Sequence, residues 1–392
     1  MAARFRRLNY TLIALVLSAG VQVPALFALG WLSGWFWLPL VVALLTVYPA
    51  ALTTRNPWES PYRSRRQIYL VMWPFFAWWT ICAVFFLTGT LGLLVAAFTP
   101  ITVKPAIGVA FVIAILAGLR ALSRRPRIFR HTVCIAGLPP AFAGYQIAQI
   151  SDVHCGPFTP PERVLAWVRR VNALSPDLIA VTGDLITSGG DFVEVVSAAL
   201  GELRAPDGVW GCMGNHDYFT DGDAFAQRLE HHGMRLLRNA GHVLERSGQR
   251  LYLAGVDDTW THRCDLDRAL RERPAGAATV LLAHDPVLFP TAAAHGVSVT
   301  LSGHTHGGQL AAPVRAKRWN LARFMTPFTT GSYQIGDSTL YVNRGLGTTG
   351  PPIRLGVRPE ITLLTLMPAR EELSDRLAHL AEEVIRETSE AR

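Results

Sequence analysis

Charge is in short supply in this chain. Only 17% of its 392 residues are Asp, Glu, Lys or Arg, against roughly 25% in an average soluble protein. Acid is scarcest in the first third, where residues 1–130 hold thirteen Lys and Arg but one carboxylate, Glu59. Cysteine is also sparse: there are five (Cys82, Cys134, Cys155, Cys212 and Cys264), an odd number with no C-x-x-C pair. That excludes a disulfide framework and a dithiol redox motif, and it fits a reducing compartment. Internal repeats and low-complexity segments are lacking too, and a hydrophobic content of 50% excludes a disordered or collagen-like chain.

What the chain has in excess is apolar sequence. The net charge of +8 divides into +12 for residues 1–130 and −4 for the remainder, which carries 24 basic and 28 acidic residues. The basic balance thus sits beside apolar segments, a membrane pattern, and it argues against a nucleic-acid-binding body. Leu8 to Thr54 is an uncharged run of 47 residues. A bilayer span takes ~20 residues, so the run reads as two spans, near Tyr10–Leu29 and Trp31–Leu52, joined by a tight turn. A third is expected at Ile68–Thr90 with an apolar tail behind it. A fourth runs from Val103 to Leu122, with Lys104 and Arg120 able to snorkel at its ends.

Arginines flank these spans on alternate sides: Arg4, Arg6 and Arg7, then Arg55, Arg63, Arg65 and Arg66, then Arg120, Arg124, Arg125, Arg127 and Arg130. The positive-inside rule then puts both termini on the cytoplasmic side. Three spans in place of four would move the C-terminal domain outside. A cleaved signal opening with Arg6-Arg7 is the rival reading, but three further apolar segments follow it.

Past Arg130 short apolar runs alternate with amphipathic ones. Strands are expected at Tyr145–Ser151, Asp177–Thr182, Val209–Met213, Leu251–Val256, Thr279–Ala283 and Val297–Leu301. Helices are expected at Pro160–Leu174, Asp191–Leu203, Asp223–His232 and Pro286–Ala294. The alternation implies crossover units and a mostly parallel sheet. Strands at Ser332–Ile335, Thr339–Val342 and Ile361–Leu366 imply a second, more antiparallel sheet. The domains read as a membrane region over 1–130, a catalytic domain over 131–368 and a polar C-terminal helix over 369–392.

Five polar clusters each follow a strand: Asp152-Val153-His154, Gly183-Asp184, Gly214-Asn215-His216-Asp217, His284-Asp285 and Gly303-His304-Thr305-His306. In open α/β sheets ligands bind beyond the carboxyl ends of strands, so the five should share one rim. Each alone has a bland reading: D-x-H and G-D recur by chance, and a lone His284 suits a hydrogen-bonded core. Alternation along an extended G-H-x-H segment would put both imidazoles on one side. Together, Asp152, His154, Asp184, Asn215, His284, His304 and His306 offer too many ligands for one open catalytic metal. They suit two divalent ions sharing a carboxylate, with Mn, Fe, Zn and Mg all compatible with imidazole and oxygen donors.

This motif series resembles the calcineurin-like metallophosphoesterases over about Gln149 to Leu366. The resemblance implies a four-layer α/β/β/α sandwich. It implies one metal, taken as Mn first, on Asp152, His154 and His306, and a second on Asn215, His284 and His304, with Asp184 bridging. It makes His216 the catalytic histidine, oriented by Asp217, where the family often has Glu. The tail motifs Tyr341–Gly347, Pro351–Arg354 and Arg358–Ile361 resemble a bacterial, membrane-associated branch. Some of its relatives act on lipid phosphodiesters or on the pyrophosphate of a UDP-diacylglucosamine lipid A precursor.

The expected activity is therefore hydrolysis of a phosphodiester or pyrophosphate in a lipid-linked substrate at the bilayer. A phosphoesterase for soluble nucleotides or phosphoproteins, and a non-catalytic membrane sensor on the same fold, are the alternatives. Cys155 should point away from the ligands and act as a packed structural cysteine, and Asp257-Asp258 should form a structural turn. The stretch Ala311–Phe328 reads either as a surface loop with a solvated charged face or as an interfacial segment.

Overall fold

The computed structural model describes residues 2–54, 64–122, 125–312 and 315–369. They form two compact units: Met1–Arg124 with Thr348–Arg358, and Arg125–Gly347 with the segment from Pro359 onward.

The first unit is helical. Helices run over Ala2–Ser33, Leu38–Thr54, Arg65–Phe98 and Val103–Ala121, at the four places the uncharged runs indicate. Two of these, Arg65–Phe98 and Val103–Ala121, are long and apolar enough to cross a membrane. The first turn falls at Gly34–Trp37, where Gly34 takes φ +74°, and so lies later than expected between Leu29 and Trp31. The apolar tail behind Thr90 is itself helical to Phe98.

Packing inside this unit uses small residues. Ala25, Ala28, Ala110 and Ala114 are buried together with Cys82 and Phe85. The outward-facing residues are large: Leu87, Leu91, Phe98, Val109 and Leu116 are all exposed. Larger residues such as Met72, Phe75 and Phe76 are buried too; close contact through small residues is common between helices that pack in a bilayer. Polar contacts tie the helices sideways: Trp78 Nε1 donates to Gln22 Oε1 at 2.9 Å, and Thr88 Oγ1 donates to the Ala110 carbonyl at 3.1 Å.

The second unit contains two six-stranded sheets. The first is built from β1 (Arg127–Ile135), β2 (Gln146–Ile150), β3 (Leu178–Thr182), β4 (Val209–Cys212), β5 (Arg235–Leu236) and β12 (Glu360–Pro368), in the order β1-β12-β2-β3-β4-β5. The second uses β6 (Ala240–Arg246), β7 (Gln249–Gly255), β8 (Thr279–Leu282), β9 (Val299–Ser302), β10 (Gly331–Ile335) and β11 (Ser338–Val342), in the order β10-β11-β9-β8-β7-β6.

Side-chain alternation sorts each strand between two cores. Along β3, Leu178 and Ala180 enter a cluster shared with Leu253, Val280 and Leu301 of the second sheet. Ile179 and Val181 point the other way, onto the helix Pro161–Asn172 through Val164, Trp167, Val168 and Val171. The second sheet covers its outer face with the helices Leu266–Leu270 and Phe289–Ala294. The layers are therefore α/β/β/α, as the resemblance implied.

Four details differ from the sequence reading. Residue 130 falls inside β1, so the helical unit stops earlier, at Arg124; β1 carries Arg127, Arg130 and His131 among its apolar residues, without strict alternation, and blends into the flanking arginine cluster. Strand β6 is also additional, paired with β7 through a hairpin whose Ser247 and Gly248 both have positive φ; that is the turn geometry matching strand twist. The second sheet is antiparallel only at its edges, β10–β11 and β6–β7, while β11–β9, β9–β8 and β8–β7 are parallel. One strand of the C-terminal group, β12, joins the first sheet. The polar helix expected over 369–392 lies, beyond residue 369, outside the described residues.

Candidate metal centre

Three parallel strands of the first sheet, β2, β3 and β4, and two of the second, β8 and β9, end at one rim. The residues that follow them carry the five clusters. Beneath the rim Gln149 Nε2 donates to Thr182 Oγ1 and to the Ser302 carbonyl, both at 3.0 Å, linking the two sheets.

The strands end abruptly because the candidate ligand residues themselves turn the chain. Asp152, His154, Asp184, His304 and His306 all have φ between +45° and +69°. This left-handed conformation costs a non-glycine residue roughly 1–2 kcal/mol, and Asp and His are among the residues that tolerate it best. The G-H-x-H segment is thus not extended, contrary to the alternation argument; two left-handed residues bring its rings inward. Glycine is needed where backbones meet carboxylates: a Cβ on Gly214 would collide with Asp184, and one on Gly303 with Asp152.

The convergence is tight. Asp152, His154 and His306 form one group whose ligand atoms lie within 4.8 Å of one another, Asp184, His284 and His304 a second, and His154, Asp184 and His216 a third that joins them. His154 Nε2 faces His306 Nε2 at 3.0 Å, and His306 Nε2 lies 3.3 Å from Asp152 Oδ1. Asp184 Oδ2 lies 3.2 Å from His284 Nε2 and 3.6 Å from His154 Nε2. His304 Nδ1 faces His284 Nε2 at 3.2 Å. The His284 ring is oriented by its Nδ1–H, which donates to the Thr182 carbonyl at 2.7 Å; this leaves Nε2 aimed into the centre, the arrangement of a metal-ligating imidazole.

Burial and charge make the pocket demanding. Asp152, His154, Asp184 and His284 are essentially inaccessible to water. Burial pushes the Asp152 carboxyl up to about 6, with His284 opposing and Asp184 reinforcing the shift. Burial also works against the Asp184 carboxylate, but the facing His284, with His216 and His154 beyond it, holds its pKa well below the usual carboxylate range. His304 is pushed down by burial and by the charge of His284. Asn215 Oδ1 is buried with no hydrogen-bond partner, and its neighbours Gly214 and His216 both touch Asp184. An unpaired carbonyl and several ring nitrogens aimed at a few shared points fit divalent cations; buried acceptors otherwise stay paired.

His304 is partly exposed, and so is His216. The His216 peptide N–H donates to Asp184 Oδ1 at 2.9 Å and its ring Nδ1–H to the Thr187 carbonyl at 2.8 Å. The orienting contact expected from Asp217 is therefore made by Thr187. Asp217 instead accepts four peptide N–H groups, from Leu185 at 2.7 Å, Gly214 at 2.9 Å, Asp184 at 3.0 Å and Ile186 at 3.3 Å. It braces the loop that carries Asp184.

Cys155 is buried and pairs as an isolated bridge with Ile186; burial pushes its thiol up to about 12, the state of an inert packed cysteine. Asp257 and Asp258 form a turn, with Asp258 Oδ2 accepting from Thr261 N at 2.7 Å and Asp257 Oδ2 from Arg238 Nε at 2.9 Å. Among the described residues neither joins a metal-ligand group.

Four participants escaped the sequence reading. The Thr182 and Thr187 carbonyls orient ligand rings, and no side-chain pattern reports a carbonyl. Trp260 lies against His304 with centroids 5.4 Å apart, its indole N–H fixed on Asp285 Oδ2 at 3.0 Å. Phe219 meets His216 edge-on at 4.5 Å. Both rings are substantially exposed.

Against known proteins, the calcineurin-like phosphoesterase profile matches residues 145–308. An uncharacterized metallophosphoesterase, YkuE, of Bacillus subtilis (strain 168) is 33% identical over 245 residues, which are 60% of this chain and 84% of that one. A Bos taurus "transmembrane protein with metallophosphoesterase domain" is 32% identical over 289 residues, 69% of this chain and 64% of that protein. Its Danio rerio namesake is 32% identical over 272 residues, 65% and 61%. The chain thus spans a little under two thirds of the two transmembrane relatives.

The bracing role of Asp217 predicts that Asp217→Ala lowers stability by about 3 kcal/mol, since four buried N–H donors lose their acceptor. Thermal unfolding of the variant checks this. A wild-type melting temperature accompanied by lost turnover would return Asp217 to a ring-orienting role.

Proposed function

The chain belongs to the calcineurin-like phosphoesterases, and from that premise we propose that it is a membrane-anchored, dinuclear-metal phosphohydrolase cleaving a phosphodiester or pyrophosphate bond in a lipid-linked substrate. One observation carries the reading: the candidate group of Asp152, His154 and His306 and that of Asp184, His284 and His304 are joined by a third, of His154, Asp184 and His216, which shares His154 with the first and the Asp184 carboxylate with the second. In this proposal Asp152, His154 and His306 hold one ion, Asn215, His284 and His304 the other, and Asp184 touches both. Mn is the proposed metal, with Fe, Zn and Mg as alternatives, because the donors are imidazoles, carboxylates and an amide with no thiolate. Bound there, two such ions supply the positive charge that polarises a phosphoryl group and lets water ionise near neutral pH.

The chain's own residues do the rest. Thr182 and Thr187 fix the tautomers of His284 and His216 through their carbonyls. With Nδ1–H committed to Thr187, His216 has Nε2 for proton transfer, and its partial exposure lets it reach a leaving oxygen. Gly214 and Gly303 admit the close approach of backbone to carboxylate that keeps the pocket small. Phe219 lies against His216 and Trp260 against His304.

A lipid-linked substrate is supported by the apolar helices of the first unit and by relatives named as transmembrane proteins. The alternative, a soluble nucleotide, draws on the exposed rings of Phe219 and Trp260, which could stack on a base. A UDP-diacylglucosamine-type substrate would use both features. A purely non-catalytic sensor is disfavoured because all seven proposed ligands and His216 are present.

Two outcomes test this reading. Asp184→Asn should lose both metal and activity, whereas His216→Ala should keep its metal and lose turnover by ~10²–10⁴-fold, the range for general acid–base groups. Metal analysis beside hydrolysis of a chromogenic diester separates them; an emptied site in His216→Ala would make that residue a ligand. In the proposed topology, four spans with arginines on alternate sides keep the catalytic domain on the cytoplasmic side. A reporter fused after Arg392 should be active only as a cytoplasmic type, and a periplasmic signal would overturn that topology.

A further inference from the structure

Within the second unit, exposed large apolar side chains gather most densely between Trp319 and Met325. Phe324 is 91% exposed, Met325 69%, Trp319 61% and Leu321 53%. Four large apolar side chains in seven residues face water while the small ones between them turn inward: Asn320 and Ala322 are buried. The exposure does not come from a loose loop. Asn320 Nδ2 donates to the carbonyls of Ala316 at 2.8 Å and Lys317 at 3.2 Å and to Thr329 Oγ1 at 3.1 Å, and its Oδ1 accepts from Arg323 N at 3.1 Å. Ala312 N donates to the Trp319 carbonyl at 2.8 Å, closing the base of the loop. The frame is pinned from beneath, and the apolar row is displayed on it.

Charge specifies what the row faces. From Gln309 to Gly336 the sequence holds Arg315, Lys317, Arg318 and Arg323 and no acid. All four cations are exposed, and among the described residues none pairs with a carboxylate. Lys317 instead caps the Ser332 carbonyl at 2.6 Å over the Tyr333 ring, and Arg323 caps that of Pro327 at 2.9 Å. A solvated charged face does not need four exposed large hydrophobes, and a symmetric contact with a second copy would set four cations against four. Apolar side chains rimmed by cations suit the boundary of a bilayer carrying anionic headgroups.

We propose that the face formed by Arg315–Met325 docks on an anionic lipid surface, with Trp319, Leu321, Phe324 and Met325 entering the acyl boundary and the four cations resting on lipid phosphates. The inference rests on the membrane-anchored reading above but not on the metal chemistry. It gives the catalytic unit a second, reversible hold on the bilayer.

The test uses the full chain in lipid nanodiscs, with a nitroxide on Phe324→Cys in a background of Cys134→Ser and Cys264→Ser; the other three cysteines are buried. Recovery of the chain in discs reports the anchor separately. In discs containing phosphatidylglycerol, the label's collision ratio for oxygen over a water-soluble nickel complex should exceed that in pure phosphatidylcholine discs by roughly fivefold. Changing Arg315, Lys317, Arg318 and Arg323 together to Gln should abolish the difference while leaving hydrolysis of a small soluble diester unchanged. A label equally open to nickel in both discs would overturn the proposal. So would a label shielded from both reagents, which would mean that protein covers the face.

Discussion

The carboxylate of Asp184 is the point on which the second unit depends. One oxygen faces His284 at 3.2 Å and His154 at 3.6 Å, and the other accepts the His216 peptide N–H at 2.9 Å. Its own peptide N–H is held by Asp217. These contacts reach from β3 to the turns after β2, β4 and β8, so residues of both sheets must be in register before the centre exists. A buried anion in so dry a pocket is costly without compensating charge. The surrounding imidazoles supply part of it, and the geometry is suited to cations that supply the rest.

The centre is assembled from local backbone strain. Five of its residues adopt the left-handed region, and strain of this kind persists only where the surroundings over-determine it. Here the surroundings are the two parallel strand sets beneath, Gln149 bridging them, and Asp217 gathering four N–H groups of the Asp184 and Gly214 loops. Rigid strands with strained turns at their carboxyl ends fix the side chains before any ligand arrives, which is the condition for electrostatic preorganisation.

Much of this was legible in the sequence because ligand types repeat at strand ends, and both features are local. Strands β2, β3, β4, β8 and β9 announced themselves as apolar runs, and each polar cluster followed directly. What stayed hidden was non-local or carried by backbone. β1 was masked by its arginines, and β5 is two residues long. The role of Asp217 depended on which neighbour came nearest, and Thr187 acts through a carbonyl that every residue possesses. The parallel interior of the second sheet was unreadable from its strand-rich end, because the order of strands is set by long-range pairing.

In the helical unit alanines are buried beside larger side chains, and many large apolar residues face outward. Segments Arg65–Phe98 and Val103–Ala121 meet the length and composition needed to cross a bilayer. The central claim concerns the other unit, and crystals of the full chain soaked in Mn and measured for anomalous scattering test it most directly. The account predicts two peaks ~3.5–4 Å apart, one on either side of Asp184 and one of them against Asn215 Oδ1. A single peak, or a pair that does not share Asp184, would contradict it.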